Sequence, residues 1–174
     1  MKKVIIIGCP GSGKSTFSIA LAKITGLPLV HLDAIYHQNI WTDDSEAKKI
    51  QWQEKIVDLV KAEEWIIDGN YKSTMQIRIE AADTIIFLDY PRYLSLWRTL
   101  ARRWKFRNKK RPDMPITWKE KISWDFIRLI WNYNREQRPT VLQQLKQYGA
   151  NREVQILRSP QQADNFLAKL KTLD

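Results

Sequence analysis

Apolar positions follow two alternating rhythms along this chain: short unbroken runs and stretches at helical spacing. Residues 4–7 (Val-Ile-Ile-Ile) form a β-branched run closed by Gly8, the pattern of a strand buried on both faces. From 15 to 25, Phe17, Ile19, Ala20, Leu21 and Ile24 keep helical spacing. Gly26 then suits the position just past a helix, and Pro28 forbids its continuation. Residues 28–32 read as a second strand, leading to Asp33. Residues 34–64 are mostly helical in pattern, with Trp52, Ile56, Leu59 and Val60 on one stripe. A third strand covers 65–67 and stops at Asp68-Gly69. A fourth covers 84–88 and stops at Asp89 and Pro91, and a fifth covers 154–157. Helices are predicted over 93–104, over 118–148 with a break near Pro139, and over 161–173, with a loop at 105–117. Strands alternating with helices predict an α/β fold, a parallel sheet covered on both faces.

Composition narrows this little. The 174 residues suit a single domain, and neither a repeat nor a Gly/Ser linker divides them. With Cys9 as the only cysteine no internal disulfide forms, so a cytoplasmic location is expected. The 4–7 run is too short for a signal-peptide core or a membrane span, and no membrane association is expected. The net charge of +10 predicts affinity for phosphorylated ligands, nucleic acid or anionic surfaces without choosing among them.

The choice comes from Gly8-Cys9-Pro10-Gly11-Ser12-Gly13-Lys14-Ser15, a complete G-x-x-x-x-G-K-[ST] pattern between a predicted buried strand and a predicted amphipathic helix. Glycines let backbone N–H groups close on a polyphosphate, and the following helix offers its positive end. ATP is therefore expected against Gly8, Pro10, Gly11, Ser12, Gly13, Lys14, Ser15 and Thr16. Lys14 would meet the β and γ phosphates and the Ser15 hydroxyl would ligate Mg²⁺. Cys9 is read as a small tolerated residue; the sharper alternative is a thiol acidified by the positive loop.

Three aspartates follow predicted strands, where parallel sheets bind ligands. Asp68 is assigned to the hydration shell of Mg²⁺, and Asp33 to an acceptor hydroxyl or phosphate. Asp89 is expected to cap the next helix. His31 and His37 are read as packed or solvated, and no cluster has zinc-ligand spacing.

Between Arg92 and Lys119 cations are dense, Arg98, Arg102, Arg103, Arg107 and Arg111 among them, and Asp113 alone opposes them. This segment can be a solvated surface, or a lid whose arginines neutralise a transferring phosphoryl group. It can also be a nucleic-acid contact with Trp97, Trp104, Phe106 and Trp118 as stacking surfaces. The seven-residue spacings of Trp97 with Trp104 and of Trp124 with Trp131 favour packed helix faces. Arg135 and Arg138 could also enter the site.

The loop, Asp33, the Trp65–Tyr71 block WIIDGNY and the Phe87–Arg92 block FLDYPR together resemble bacterial DNA topology modulation proteins of the FlaR type, relatives of adenylate and shikimate kinases. RPDM at 111–114 and WNYNREQRP at 131–139 extend the resemblance along nearly the whole chain. It implies a three-layer P-loop NTPase fold like that of nucleoside monophosphate kinases. The five-stranded parallel sheet would have order 2-3-1-4-5, with an acceptor-binding region near 33–63 and a basic lid near 102–119. In nucleotide kinases an Asp-Gly pair after the third strand precedes an acceptor-binding arginine. Asp68-Gly69 fits, Arg78 is the nearest arginine, and Asn70-Tyr71 stand where Phe-Pro-Arg is usual.

The leading functional expectation is an ATP- and Mg²⁺-dependent phosphotransferase acting on a small molecule such as a nucleotide or nucleoside. Lys14, Asp33, Arg103 and Arg107 would be catalytic, Asp33, Arg78 and Arg111 would bind the acceptor, and Ser15 and Asp68 would organise the metal. The alternative is a DNA-associated ATP-binding regulator using the basic 92–119 segment. A GTPase ranks third, because 108–111 (Asn-Lys-Lys-Arg) lacks the acidic residue of a guanine-reading motif.

Overall fold

A computed structural model describes residues 1–37, 45–105 and 123–172. Five strands, β1 (Lys3–Gly8), β2 (Leu29–His31), β3 (Trp65–Asp68), β4 (Thr84–Leu88) and β5 (Glu153–Leu157), form one parallel sheet of order β2-β3-β1-β4-β5. Eight α-helices accompany them among the described residues: α1 (Lys14–Thr25), α2 (Leu32–Tyr36), α3 (Ser45–Lys61), α4 (Met75–Ala81), α5 (Arg92–Lys105), α6 (Trp124–Glu136), α7 (Arg138–Tyr148) and α8 (Pro160–Lys171).

The central strand shows why the run at 4–7 is apolar throughout. Ile5 and Ile7 face one side of the sheet, packing with Trp52 and Ile56 of α3, Met75 and Ile79 of α4, and Val141 and Leu145 of α7. Val4 and Ile6 face the other side, packing with Phe17 and Leu21 of α1 and Ala163 of α8. All four are fully buried. Each such side chain contributes about 1.5–3 kcal/mol, so the middle strand tolerates no polar face. The Asp83 carboxylate pegs the start of this strand, accepting from the Lys2 and Lys3 amides at 2.6 and 2.9 Å.

The expected elements recur with local changes. α1 ends as its sequence directs, with Gly26 at φ 70° and its N–H bonded to Ala22 O. The second strand stops at His31, because Leu32 already opens α2. The predicted helix over 118–148 divides at Gln137, since Pro139 suits only the first turn of a new helix. α4 had no sequence prediction. None of the described helices is long and apolar enough to cross a membrane.

Candidate active site

β1 delivers the chain into the phosphate loop at Gly8, and α1 starts six residues later at Lys14. α5 lies directly on this loop. A Cβ on Gly11, whose φ is +81°, would strike Thr99 Oγ1 and the carbonyl of Ser95, so only glycine fits under the helix. No side chain caps Gly13 at the start of α1, which leaves the helix's positive end facing the loop. The Ser12 hydroxyl is buried with no hydrogen-bond partner among the described residues. Lys14 curls over the loop and donates from Nζ to Gly8 O at 3.0 Å and to Cys9 O at 3.3 Å. Loss of water lowers its pKa, the Asp33 and Asp68 carboxylates counteract this, and the Arg102 charge adds to it. Ser15 is half-buried and Thr16 exposed, both on the first turn of α1.

Two of the expected carboxylates converge here. Asp68, 4% exposed at the end of β3, accepts from Ser18 Oγ at 3.0 Å through Oδ2 and meets His31 Nδ1 at 3.0 Å through Oδ1. Ser18 Oγ is also 3.0 Å from Ser15 O, so one hydroxyl joins Asp68 to the first turn of α1. Asp33 stands exposed in α2, and its carboxylate acts on the Tyr71 hydroxyl. Burial first and Asp33 second push the Tyr71 phenol far above its ordinary pKa, so it stays a donor. Neither Ser18 nor the His31 contact was legible in the sequence; a serine three residues after Ser15 shares its helix face, which is the one signal available.

Arg78 lies elsewhere than expected. It is completely buried and donates to Gly69 O (2.8 Å), Asn70 O (3.2 Å), Tyr71 O (3.0 Å) and Thr74 O (3.3 Å). Burial lowers its pKa to about 10. The guanidinium staples the 69–71 turn to α4 and is spent on backbone carbonyls, so it does not present itself to an acceptor. Beside that turn the rings of Tyr36, Trp52 and Tyr71 contact one another with centroids 4.8–5.2 Å apart.

Of the basic segment, Arg98 bridges α5 to the loop, with Nη1 donating to Ser12 O at 2.8 Å. Arg102 is half-buried, and its charge acts on Lys14. Arg103, at the next position, is exposed, and no contact joins it to the phosphate loop among the described residues. Arg107 and Arg111 lie outside the described residues, as do Phe106 and Trp118 and most of the proposed lid.

Other expectations are corrected. Trp97, Trp104, Trp124 and Trp131 do not pack inward: they are 66%, 83%, 83% and 49% exposed. α5 instead buries Ser95 and Thr99, because the close approach to Gly11 leaves room only for small side chains. Asp89 is held by Arg138 instead of capping α5, and Arg135 pairs with Glu136 at the surface. Cys9 is 1% exposed, and burial, outweighing Lys14, raises its pKa to about 11. The acidified-thiol alternative is thereby removed.

No family model and no curated protein matches this sequence. Among solved structures, it is similar to the shikimate kinase from Acinetobacter baumannii in complex with shikimate. That match has TM-score 0.64 and 13% identity, covering 99% of this chain and 92% of that one. It is also similar to the shikimate kinase from Bacteroides thetaiotaomicron, with TM-score 0.55 and 16% identity, covering 98% and 96%. The chain has a P-loop kinase fold. In a P-loop kinase fold the strands' carboxyl ends form the ligand edge, and Gly8, Asp33 and Asp68 all lie there. The topology-modulation part of the resemblance gains no support from these comparisons.

Proposed function

We propose that this protein is a kinase that transfers the γ-phosphoryl group of ATP to a hydroxyl of a small molecule. The observation that carries this is geometric: Asp33, just after β2, and Asp68, at the end of β3, lie at the same sheet end as the Gly8–Ser15 loop, and Ser18 links Asp68 to the first turn of α1. A proton-accepting and a metal-binding carboxylate thus flank a phosphate-binding loop.

The loop residues suit a triphosphate. Its glycine backbone allows close approach, and α1 points its positive end at the loop. On ATP binding Lys14 would leave Gly8 O and Cys9 O for the β and γ phosphates. The hydroxyl of Ser15 and the carboxylate of Asp68 are hard oxygen donors that fit Mg²⁺, which favours oxygen and keeps several waters. Ser18 Oγ, lying between Asp68 and the Ser15 main-chain carbonyl, keeps their elements together. The metal would supply charge neutralisation on the phosphates. Asp33 would accept the proton of the acceptor hydroxyl. The acceptor oxygen forms its bond to phosphorus as the bond to the β–γ bridging oxygen breaks, and ADP departs. Arg98 and Arg102 reach the loop from α5, and Arg107 and Arg111 are proposed to join them. The acceptor is proposed to occupy the region 33–63 together with Tyr71.

ADP release with MgATP and a panel of nucleosides, nucleotides and cyclic polyols tests this reading. An acceptor-dependent rate that Asp33→Asn lowers at least 100-fold supports it. The same acceptor-dependent rate in the Asp33→Asn protein would contradict it. The exposed Trp97 and Trp104 on arginine-bearing α5 favour a second reading, a nucleic-acid contact. Failure to retard duplex or single-stranded DNA at low salt would remove it.

A further inference from the structure

The turn after β3 does something the phosphate loop does not do for itself. The parallel pairing of β3 with β1 continues as far as the Gly69 N–H, which donates to Ile6 O at 3.2 Å. The main chain then turns away toward α4, and the Asn70 side chain takes over. Its Oδ1 accepts from the Gly8 N–H at 3.0 Å and its Nδ2 donates to Gly8 O at 2.7 Å. A carboxamide has the donor and acceptor of a peptide group side by side. Asn70 thus adds one more pairing to the ladder, on the first residue of the phosphate loop. The turn is itself fixed, since Arg78 binds the carbonyls of Gly69, Asn70 and Tyr71.

Gly8 is buried and its carbonyl has two donors here, Asn70 Nδ2 and Lys14 Nζ. The two are not equivalent. Under the kinase reading, on which this inference rests, Lys14 must leave Gly8 O to reach a phosphate. From then on Asn70 is the donor left to that carbonyl, and a buried polar group without a partner is costly.

We propose that Asn70 is a positioning residue for nucleotide binding. It holds Gly8 in place when Lys14 is withdrawn and so stabilises the nucleotide-bound loop more than the free one. A purely structural asparagine would stabilise both states equally.

The test is calorimetric titration of MgATP into wild type, Asn70→Ala and Asn70→Asp, with the melting temperature of each free protein measured alongside. Asn70→Ala is expected to weaken MgATP roughly tenfold, the scale of one lost partner for a buried carbonyl. Asn70→Asp is isosteric and keeps the acceptance from Gly8 N–H while losing the donation to Gly8 O. It is expected to weaken binding at least as much, and it carries the test if the alanine variant does not fold. A lowered melting temperature with MgATP affinity within twofold of wild type would overturn the assignment while leaving the kinase reading intact. Absence of MgATP binding by wild type would overturn both.

Discussion

Arg138 grips Asp89 through two parallel hydrogen bonds, Nε to Oδ1 and Nη2 to Oδ2, each 2.8 Å. The pair ties the start of α7 to the end of β4, and the Asp89 side chain is 7% exposed against 34% for Arg138. A planar fork can make this contact, whereas an ammonium offers a single point of charge. Arg138→Ala is therefore expected to cost about 2 kcal/mol, less than a fully buried pair because water reaches the arginine. Arg138→Lys should recover under half of that. Urea midpoints of the three proteins check both values.

Asp83 has a signature in acid. Burial alone would raise its pKa, but hydrogen bonds from Thr84 and the Lys3 and Lys2 amides overcome this and lower it. Its stabilising effect is therefore complete above the unfolded carboxylate value of 3.8 and is lost as pH falls through the lowered folded value. Asp83→Asn should be about 1 kcal/mol less stable than wild type at neutral pH, with the difference shrinking in strong acid. Chemical denaturation at pH 7 and pH 2.5 measures this. A difference independent of pH would contradict the carboxylate's part in it.

Arg78 separates two roles cleanly. As an acceptor ligand, its loss would raise an acceptor KM and spare the fold. As a buried staple with four backbone carbonyls, its replacement by alanine should cost about 3 kcal/mol or prevent folding. Melting curves of Arg78→Ala and Arg78→Lys decide between these. Wild-type melting in both variants would restore the acceptor-binding role.

Lys14 should give MgATP binding an alkaline limit. Desolvation lowers its pKa below the ordinary 10.5 in the free protein, and phosphate anions would raise it again. Binding at a pH near the lowered value should then take up protons, and affinity should fall as pH rises through it. Calorimetry in two buffers of different ionisation enthalpy reads the proton uptake directly. Uptake that persists unchanged in Lys14→Ala would place it on another group.

Strand positions, core and phosphate loop were legible because they depend on local signals, whereas the sheet order followed from the family resemblance alone. Residues 4–7 are apolar at every position, Gly26 and Pro28 punctuate α1, and the loop motif is contiguous. Asp33 and Asp68 followed from the rule that parallel strands bind ligands at their carboxyl ends. What the sequence concealed depends on packing between distant segments. The tryptophan spacing on α5 marks a helix face correctly but does not say which way it points, and the contact at Gly11 decides that. Arg78 looks like a ligand for an anion until its depth is known. Asn70 looks like a departure from a kinase motif until its side chain is seen on Gly8, a partner 62 residues away.

If Lys14 and its loop bind ATP for phosphoryl transfer, titration of MgATP into wild type and Lys14→Ala, with circular dichroism showing both folded, separates the two proteins. Wild type should bind saturably and Lys14→Ala at least tenfold more weakly. Equal affinity in the two proteins, or no heat from either, would rule out that role for Lys14.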